Sequence, residues 1–485
     1  MNDLKTKTLK GVLWNSFGTI GGGITSFIVT IVLARLLSPA HFGVLELMMV
    51  FIYIADTFVD SGFSQVLIAD KKAGNRDYTS VFYVNLAIAF FVYLILYFVA
   101  PVLSHYFLIP DFHRYARVAF IAIILNSFSL IQNTIYAKRM KFREISIATF
   151  FATLIAGGIA IYLAYIDWGI WALVANYVLI AFLRTLFLWL RSTWYPKGFI
   201  DLSIIRKYFK SGSYLLLQGI IDKIVSNLES FLIGKHYRSD ALGCFSQARK
   251  INAYSTQTLV SIVQRVTFPA LATIESNDQL LSAYRNILRL TMFVVVPFSS
   301  LLIVVAPSFI SVLLGEKWLG TVPFLQLWSF CSLLVAFYSI FINIFLVRNE
   351  TRRLLRLSLI RQVLRVLVIL ILIRYSIELL IVGLIAVTLF SAIQYCIQGG
   401  QLISYSPQKV AEDLFPTVLS SLGASLITYV VSMFVQPYLG SLPLLCLQSL
   451  LIFAIYLLSS YLIHNPALSE FKGVLKRVLC KQTAC

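Results

Sequence analysis

Long apolar segments joined by short polar links run through almost the whole of this chain. A membrane-spanning helix needs about 20 consecutive, mostly apolar residues, and about fourteen segments reach that length. No alternating pattern typical of strands competes with them. The pattern therefore predicts an all-α, polytopic membrane protein with about fourteen transmembrane helices. The predicted spans are residues 11–37, 42–68, 79–104, 114–137, 144–166, 168–190, 210–236, 241–270, 283–306, 320–347, 354–374, 377–403, 412–434 and 443–464.

Composition supports the same class of protein. Hydrophobic residues make up 59% of the 485 positions and charged residues 13%, whereas soluble domains average about 45–50% and about 25%. The six cysteines form no CxxC pair and the histidines form no ligand cluster, so we expect no metal site and no cofactor. The chain also contains no Walker, GxSxG or HExxH motif. We therefore expect a protein that is not an enzyme.

The positive charge is distributed over alternate links. The net charge of +19 comes from scattered Lys and Arg rather than from one basic domain, which argues against a nucleic-acid partner. The basic links are the second, fourth, sixth and tenth, together with both tails, whereas the first, fifth and thirteenth links contain no Lys or Arg. Because basic residues accumulate on cytoplasmic loops, we predict that both termini face the cytoplasm. The eighth link, 273–281, is acidic and does not follow the pattern.

An internal repeat with an offset of 200 residues is visible. The segments 34–43 and 234–243 share a small residue followed by a basic one at the start and an apolar residue followed by glycine at the end. The repeat predicts two six-helix halves of like orientation, residues 1–200 and 201–405. Two extra transmembrane helices and a basic cytoplasmic tail then occupy residues 406–485. Parallel halves of this kind are a known transporter plan, with the substrate between them.

Polar side chains inside the spans concentrate on the first two spans of each predicted half. An ionisable group at bilayer depth costs about 2.5–3.5 kcal/mol on insertion scales, so such groups usually face a wet interior. Each residue alone is equally well explained as part of a structural ion pair, but four stripes together favour a hydrated central cavity. The stripes contain Asn15, Thr19, Gly22 and Ser26; Glu46, Tyr53, Asp56, Asp60 and Ser64; Gln218, Asp222, Lys223, Ser226, Asn227, Glu229 and Ser230; and Ser246, Lys250, Gln257, Ser261 and Gln264, bordered by Arg249 and Arg265.

Two carboxylates of the second span raise the question of ion coupling. Asp56 and Asp60 lie four residues apart, so they share one face of the helix. Two carboxylates close together in a low dielectric do not both stay ionised without a counter-charge. Either Asp56 pairs with Lys223, or a coupling ion, H⁺ or Na⁺, neutralises the pair, with Asp60 favoured for the titrating role. The further acidic candidates are Glu46, Asp222 and Glu229.

Several motifs resemble those of a known transporter family. Ala34–Pro39 followed by Phe42 and Gly43, and then the segment 60–65, resemble the start of Wzx-type polysaccharide flippases, in particular the branch of the colanic-acid exporters. The segments 231–235, 241–243, 267–271 and 313–318 are similar to later parts of that family. The resemblance covers roughly residues 5–350, and the last four helices match only in hydropathy.

The resemblance implies the multidrug/oligosaccharidyl-lipid/polysaccharide exporter fold, with two bundles arranged as a V. It implies a bacterial inner-membrane flippase that moves undecaprenyl-pyrophosphate-linked oligosaccharide to the periplasmic leaflet by alternating access, with membrane lipid and a polysaccharide polymerase as partners. In related lipid-flipping transporters, basic cavity residues receive the pyrophosphate. By helix and facing, the substrate-binding candidates in this chain are Lys223, Arg249, Lys250 and Arg265, with Asn227 and Gln257 beside them.

Two other classes remain as alternatives. A drug or small-molecule antiporter of the same fold would favour an acidic or aromatic cavity, whereas several cations lie on these helices and cations suit phosphate. A membrane glycosyltransferase or ligase would need a large outward loop with catalytic residues, and the outward links here are short. The flippase is therefore the leading hypothesis.

Overall fold

The computed structural model is built from α-helices. The structure describes residues 21–257, 271, 274 and 276–473, and within these ranges no strand is present. A π-helix, Ala253–Gln257, follows the tenth helix, and a 3-10 helix, Glu316–Thr321, precedes the twelfth. The α-helices are α1 (Gly21–Leu36), α2 (Pro39–Asp60), α3 (Phe63–Ala69), α4 (Asn75–Phe107), α5 (Phe112–Ala119), α6 (Ile121–Lys138), α7 (Phe142–Tyr165), α8 (Ile170–Leu190), α9 (Leu202–His236), α10 (Ser239–Asn252), α11 (Asn277–Leu313), α12 (Val322–Val347), α13 (Thr351–Leu372), α14 (Ile377–Gln401), α15 (Pro407–Val435) and α16 (Ser441–Leu462).

The predicted all-α membrane fold is confirmed. Each predicted span overlaps a described helix, and ten helical segments of the described ranges are long and apolar enough to cross a membrane. The other predicted spans correspond to α1, α9, α10 and α13. Helices α1 and α10 have fewer than 18 described residues, whereas α9 is too polar and α13 carries too many charged side chains to meet the same measure. The protein is therefore a multi-pass membrane protein.

The chain divides into two compact units, Met1–Gly243 (unit 1) and Cys244–Cys485 (unit 2). In unit 1, α7 packs along α8, and α2 contacts α4, α6 and α9. In unit 2, α12 packs against α11 and α14, and α15 and α16 both pack on α11. The division into halves at 1–200 and 201–405 stays a prediction from the repeat.

Ion pairs and hydrogen bonds join three links at one end of unit 1. Lys138, at the end of α6, donates to the carbonyl oxygens of Leu67 and Asp70 at 3.0 and 2.6 Å. Lys207, near the start of α9, pairs with the Asp70 carboxylate at 2.8 Å. The hydrogen bond from Lys207 is the largest of the effects that hold the pKa of Asp70 well below its usual range. The second, fourth and sixth links thus lie at the same end of unit 1, as the predicted orientation requires.

The two copies of the repeat motif, residues 34–43 and 234–243, contact each other at the start of α2, away from the end of unit 1 where Asp70 lies. A Cβ atom on Gly43 would lie 1.8 Å from the carbonyl oxygen of Ser239, and one on Gly243 would lie 1.9 Å from the carbonyl oxygen of Pro39. Pro39 and Ser239 begin α2 and α10, so the two contacts are reciprocal. Only glycine allows the backbones to approach this closely, which accounts for the glycine that ends each copy.

A cluster of charged side chains ties the C-terminal helices into unit 2. Asp413 of α15 accepts two hydrogen bonds from Arg285 of α11, both at 2.7 Å. Arg289, one turn further along α11, also donates to Asp413, and so does the Tyr405 hydroxyl. Glu470, beyond α16, pairs with Arg289 at 3.4 Å. The cluster therefore connects α11, α15 and the segment that follows α16.

Candidate functional site

A cavity of about 440 Å³, lined by both polar and apolar side chains, lies among the helices of unit 1. Helices α2, α3, α6, α7 and α8 contribute to its wall, together with apolar side chains such as Val59 and Leu130. Its volume is within the range of small-molecule sites. The charged and polar groups that line it include Asp56, Asp60, Ser64, Asn126, Asn133 and Arg184.

Two of the predicted ion-coupling residues, Asp56 and Asp60, line this cavity. The Asp56 carboxylate accepts a hydrogen bond from the Asn126 side-chain amide at 3.3 Å. The Asp60 carboxylate accepts one from the Ser64 backbone N–H at 3.2 Å. The spacing of four residues therefore places both carboxylates at the wall of the same cavity. Asn126 is the hydrogen-bond partner of one and Ser64 that of the other.

Arg184 and the polar side chains of α6 were missed by the sequence analysis. Asn126 and Asn133 are seven residues apart, so they lie nearly in line on the helix at 100° per residue. Arg184 of α8 donates to the Asn133 side-chain oxygen at 3.2 Å, while its Nε atom is buried and has no hydrogen-bond partner in the described part of the chain. Both signals were present in the sequence, as a short polar stripe and as a cation inside an apolar span.

Lys223 does not form the ion pair with Asp56 that was one of the two solutions considered. Its ammonium lies 5.7 Å from the centre of the Tyr53 ring, and no Lys223–Asp56 ion pair is found in the part of the chain that the structure describes. Lys223 and Arg184 still interact electrostatically with Asp56 over a longer distance. The lysine side chain is exposed, and its charge is available to a ligand.

The predicted polar face of α9 divides into a buried and an exposed part. Asn227 and Glu229 are buried, and Ser230 donates to the carboxylate of the buried Glu46 at 3.3 Å. Asp222, in contrast, is exposed. The residues near the end of α9 thus pack against α2 within unit 1. From the sequence pattern alone, these residues could equally have faced a cavity.

The remaining candidates belong to unit 2. Arg249 and Lys250 are half-buried on α10, and the Arg249 guanidinium lies 5.7 Å from the centre of the Phe245 ring. Gln257 is the last residue of the π-helix. Arg265 lies outside the described residues.

Comparison with known proteins identifies the family. Residues 32–323, more than half of the chain, match the family model described as polysaccharide biosynthesis protein. The chain therefore belongs to this family, and the resemblance seen in its motifs is confirmed. It is 23% identical over 337 residues to "Teichuronic acid biosynthesis protein TuaB" of Bacillus subtilis (strain 168), covering 69% of this chain and 70% of that protein. It is 24% identical over 340 residues to "Lipopolysaccharide biosynthesis protein WzxC" of Escherichia coli (strain K12), covering 68% of each.

A solved structure shows the same fold. The chain is similar to "Lipid II flippase MurJ, inward closed conformation", with a TM-score of 0.75, 13% sequence identity and coverage of 93% of this chain and 99% of that one. At this level of identity the likeness concerns the arrangement of helices and not the side chains of a site.

Proposed function

We propose that this protein is a flippase that moves lipid-linked oligosaccharide across the bacterial inner membrane by alternating access. The observation that carries the proposal is the cavity with charges of both signs in its wall, inside an apolar helix bundle of a polysaccharide biosynthesis family member. Ionisable groups at such depth mark substrate or ion pathways in membrane proteins. The names of the relatives, which concern teichuronic acid and lipopolysaccharide, support a glycan as cargo.

Lys223 is the first candidate for the pyrophosphate of an undecaprenyl-linked substrate. Its ammonium is exposed and is not held in an ion pair within the described ranges, so it keeps donors for a ligand. Arg249 and Lys250 of α10, and Arg265, are the further cations of the proposal. Charge-assisted hydrogen bonds to phosphate are the strong ones, each contributing roughly 1.5–3 kcal/mol.

Transport of lipid-linked oligosaccharide into proteoliposomes tests this proposal. Lys223→Ala should lower the rate about tenfold or more, because it removes one such bond. Lys235→Ala is the matched control: this lysine is on the same helix, but its ammonium stacks on Tyr106 at 3.8 Å and donates to the Tyr106 carbonyl. If wild-type protein moves no lipid-linked oligosaccharide, the flippase proposal is wrong; if Lys223→Ala transports like the control, only the role of Lys223 is wrong.

A cation gradient is the proposed source of energy. Asp60 is hydrogen-bonded to Ser64 and faces the cavity beside Asp56. A proton or Na⁺ on Asp60 would relieve the repulsion between the two carboxylates. Release of that ion would then change the affinity for an anionic substrate, and linkage makes the effect reciprocal. Glu46 and Glu229 are buried where α9 packs on α2 and Asp222 is exposed, so they rank below Asp60.

The basic end of unit 1 is proposed to face the cytoplasm, with both termini on that side. The second, fourth and sixth links meet there, and basic links are cytoplasmic by the positive-inside rule. A polysaccharide polymerase remains a proposed partner.

A drug antiporter of the same fold is the second candidate, because the two carboxylates in the cavity would attract an organic cation. Arg184 in the same cavity opposes such a ligand. Uptake of a fluorescent cationic dye by the same proteoliposomes, without transport of lipid-linked oligosaccharide, would favour this candidate over the flippase.

A further inference from the structure

The chemical character of the cavity in unit 1 restricts what it can bind. Its wall combines groups that only accept hydrogen bonds, the carboxylates of Asp56 and Asp60, with a guanidinium that only donates, Arg184. The side-chain amides of Asn126 and Asn133 can do both. A ligand that satisfies such a wall must itself offer donors and acceptors close together.

Much of this hydrogen-bonding capacity is unused. Each carboxylate has about four lone-pair positions, whereas the Asp56 and Asp60 side chains each accept from one neighbouring residue. Arg184 has five N–H donors, of which one is directed to Asn133, and the buried Nε donor has no partner among the described residues. Unused donors and acceptors in a partly buried wall favour a ligand that replaces water there with direct hydrogen bonds.

Charge and size exclude several ligand classes. A phosphate group would approach two carboxylates, and a large organic cation would approach the Arg184 guanidinium, so both would be repelled by part of the wall. A single inorganic ion would leave most of the 440 Å³ unfilled, since one water molecule takes about 30 Å³. A proton on Asp60 needs no volume, so ion coupling at that residue does not compete for the space.

We propose that the cavity of unit 1 binds sugar rings of the lipid-linked substrate, and that Arg184 and Asn133 set its affinity for the oligosaccharide. This inference rests on the flippase function proposed above. A neutral sugar ring carries hydroxyl groups that each both donate and accept, which matches the mixed wall. Lys223, whose side chain the cavity wall does not include, is left for the pyrophosphate, so the two parts of the substrate have separate binding groups.

Equilibrium binding to the purified full-length protein in detergent tests the proposal. Three probes are titrated: the lipid-linked oligosaccharide extracted from cells that lack this protein, undecaprenyl pyrophosphate without sugar, and the oligosaccharide released from its lipid. Arg184→Gln and Asn133→Ala should each weaken binding of the first and third probes by about tenfold, the loss expected for a hydrogen bond to a charged group or in a buried site. Binding of undecaprenyl pyrophosphate should change by less than about twofold.

Two variants make the result specific. Arg191→Gln is the matched control, because Arg191 follows the same helix α8 but pairs with Glu144 at 2.8 Å, away from the cavity. Lys223→Ala should show the reverse pattern, weakening both lipid probes and leaving the released oligosaccharide unaffected. If Arg184→Gln does not fold, as judged by its melting temperature, Arg184→Lys keeps the charge and loses the planar donor set.

The outcomes separate the two proposals. The sugar site is refuted, while the flippase proposal stands, if wild-type protein binds the lipid-linked oligosaccharide and the cavity variants bind it equally well. The same holds if the cavity variants lose as much affinity for undecaprenyl pyrophosphate as for the lipid-linked oligosaccharide. If NaCl alone protects wild-type protein from thermal unfolding and displaces the released oligosaccharide, the cavity is a cation site. If wild-type protein binds neither the lipid-linked nor the released oligosaccharide, both proposals fail.

Discussion

Substitution of Asp413 should destabilise unit 2 more than any other single change in its charged cluster. The Asp413 side chain is only 3% exposed, and it accepts two hydrogen bonds from Arg285 and further ones from Arg289 and Tyr405. Asp413→Asn keeps the shape of the side chain but removes the negative charge. Two neighbouring guanidinium groups then lose their common counter-charge in a largely buried position.

The expected size of the effect follows from the exposure of the partners. Removing one partner of a buried ion pair costs about 3–5 kcal/mol. Arg285 is 35% exposed and can be partly solvated, whereas Arg289 is 17% exposed, so we expect the lower end, about 3 kcal/mol. For a unit of this size, about 2–4 °C per kcal/mol gives a fall in melting temperature of roughly 6–12 °C.

Thermal unfolding of the purified protein in detergent measures this effect. Glu470→Gln is the control, because Glu470 contacts the cluster only through Arg289 at 3.4 Å and burial raises its pKa above the ordinary value. The control should lower the melting temperature by less than about 3 °C, as is typical of weak pairs. A combined Asp413→Asn and Arg285→Gln variant should recover part of the loss, since it removes the guanidinium whose counter-charge was Asp413, whereas Arg289 keeps Glu470. An Asp413→Asn protein that melts with the wild type would refute the stabilising role of the cluster.

Three further predictions concern coupling, orientation and the repeat. Vesicles with an imposed pH or Na⁺ gradient should show faster transport by wild-type protein than without it, and Asp60→Asn should abolish the response; wild-type flux that ignores both gradients would contradict the coupling role. An impermeant thiol reagent added to intact cells should label Ala40→Cys and not Arg139→Cys in a background without native cysteines, and the opposite labelling would overturn the orientation. Gly43→Ala should lower the free energy of unfolding by at least about 1–3 kcal/mol, the usual range for overpacking, because the added Cβ would lie 1.8 Å from a carbonyl oxygen. Gly423→Ala is the control: no described atom lies within 4 Å of its added Cβ, so the melting temperature should stay unchanged or rise. Equal effects of the two substitutions would show that the backbone contact at Gly43 is not tight.

Sequence patterns alone predict the helical membrane fold and the common end at which the basic links of unit 1 lie. Both depend on properties that are local in the chain. A sufficiently long apolar stretch in lipid must be helical, because no water is present to form hydrogen bonds with its backbone. The charge of a link follows from its own residues and does not depend on which helices pack beside it. If basic links alternate with links that lack Lys and Arg, the basic links must lie at one end of the helices. The contacts of Asp70 with Lys138 and Lys207 agree with this. The repeat also pointed to Gly43 and its counterpart before their contact was known.

Only the tertiary structure decided which polar residues share a space. Asp56 and Asp60 could be placed on one face of α2 by their spacing, but their partners Asn126 and Ser64 are chosen by the packing of α2 with α6 and by the turn into α3. Among the described residues, Lys223 lies 5.7 Å from the centre of the Tyr53 ring and forms no ion pair with Asp56. A polar stripe in the sequence shows which side chains share one face of a helix, but it does not show what that face packs against. The part of α9 that is buried against α2 and the part that is exposed therefore could not be told apart from the sequence. Arg184 reaches the cavity because α8 packs on α6, a contact between residues 51 positions apart that no local pattern specifies.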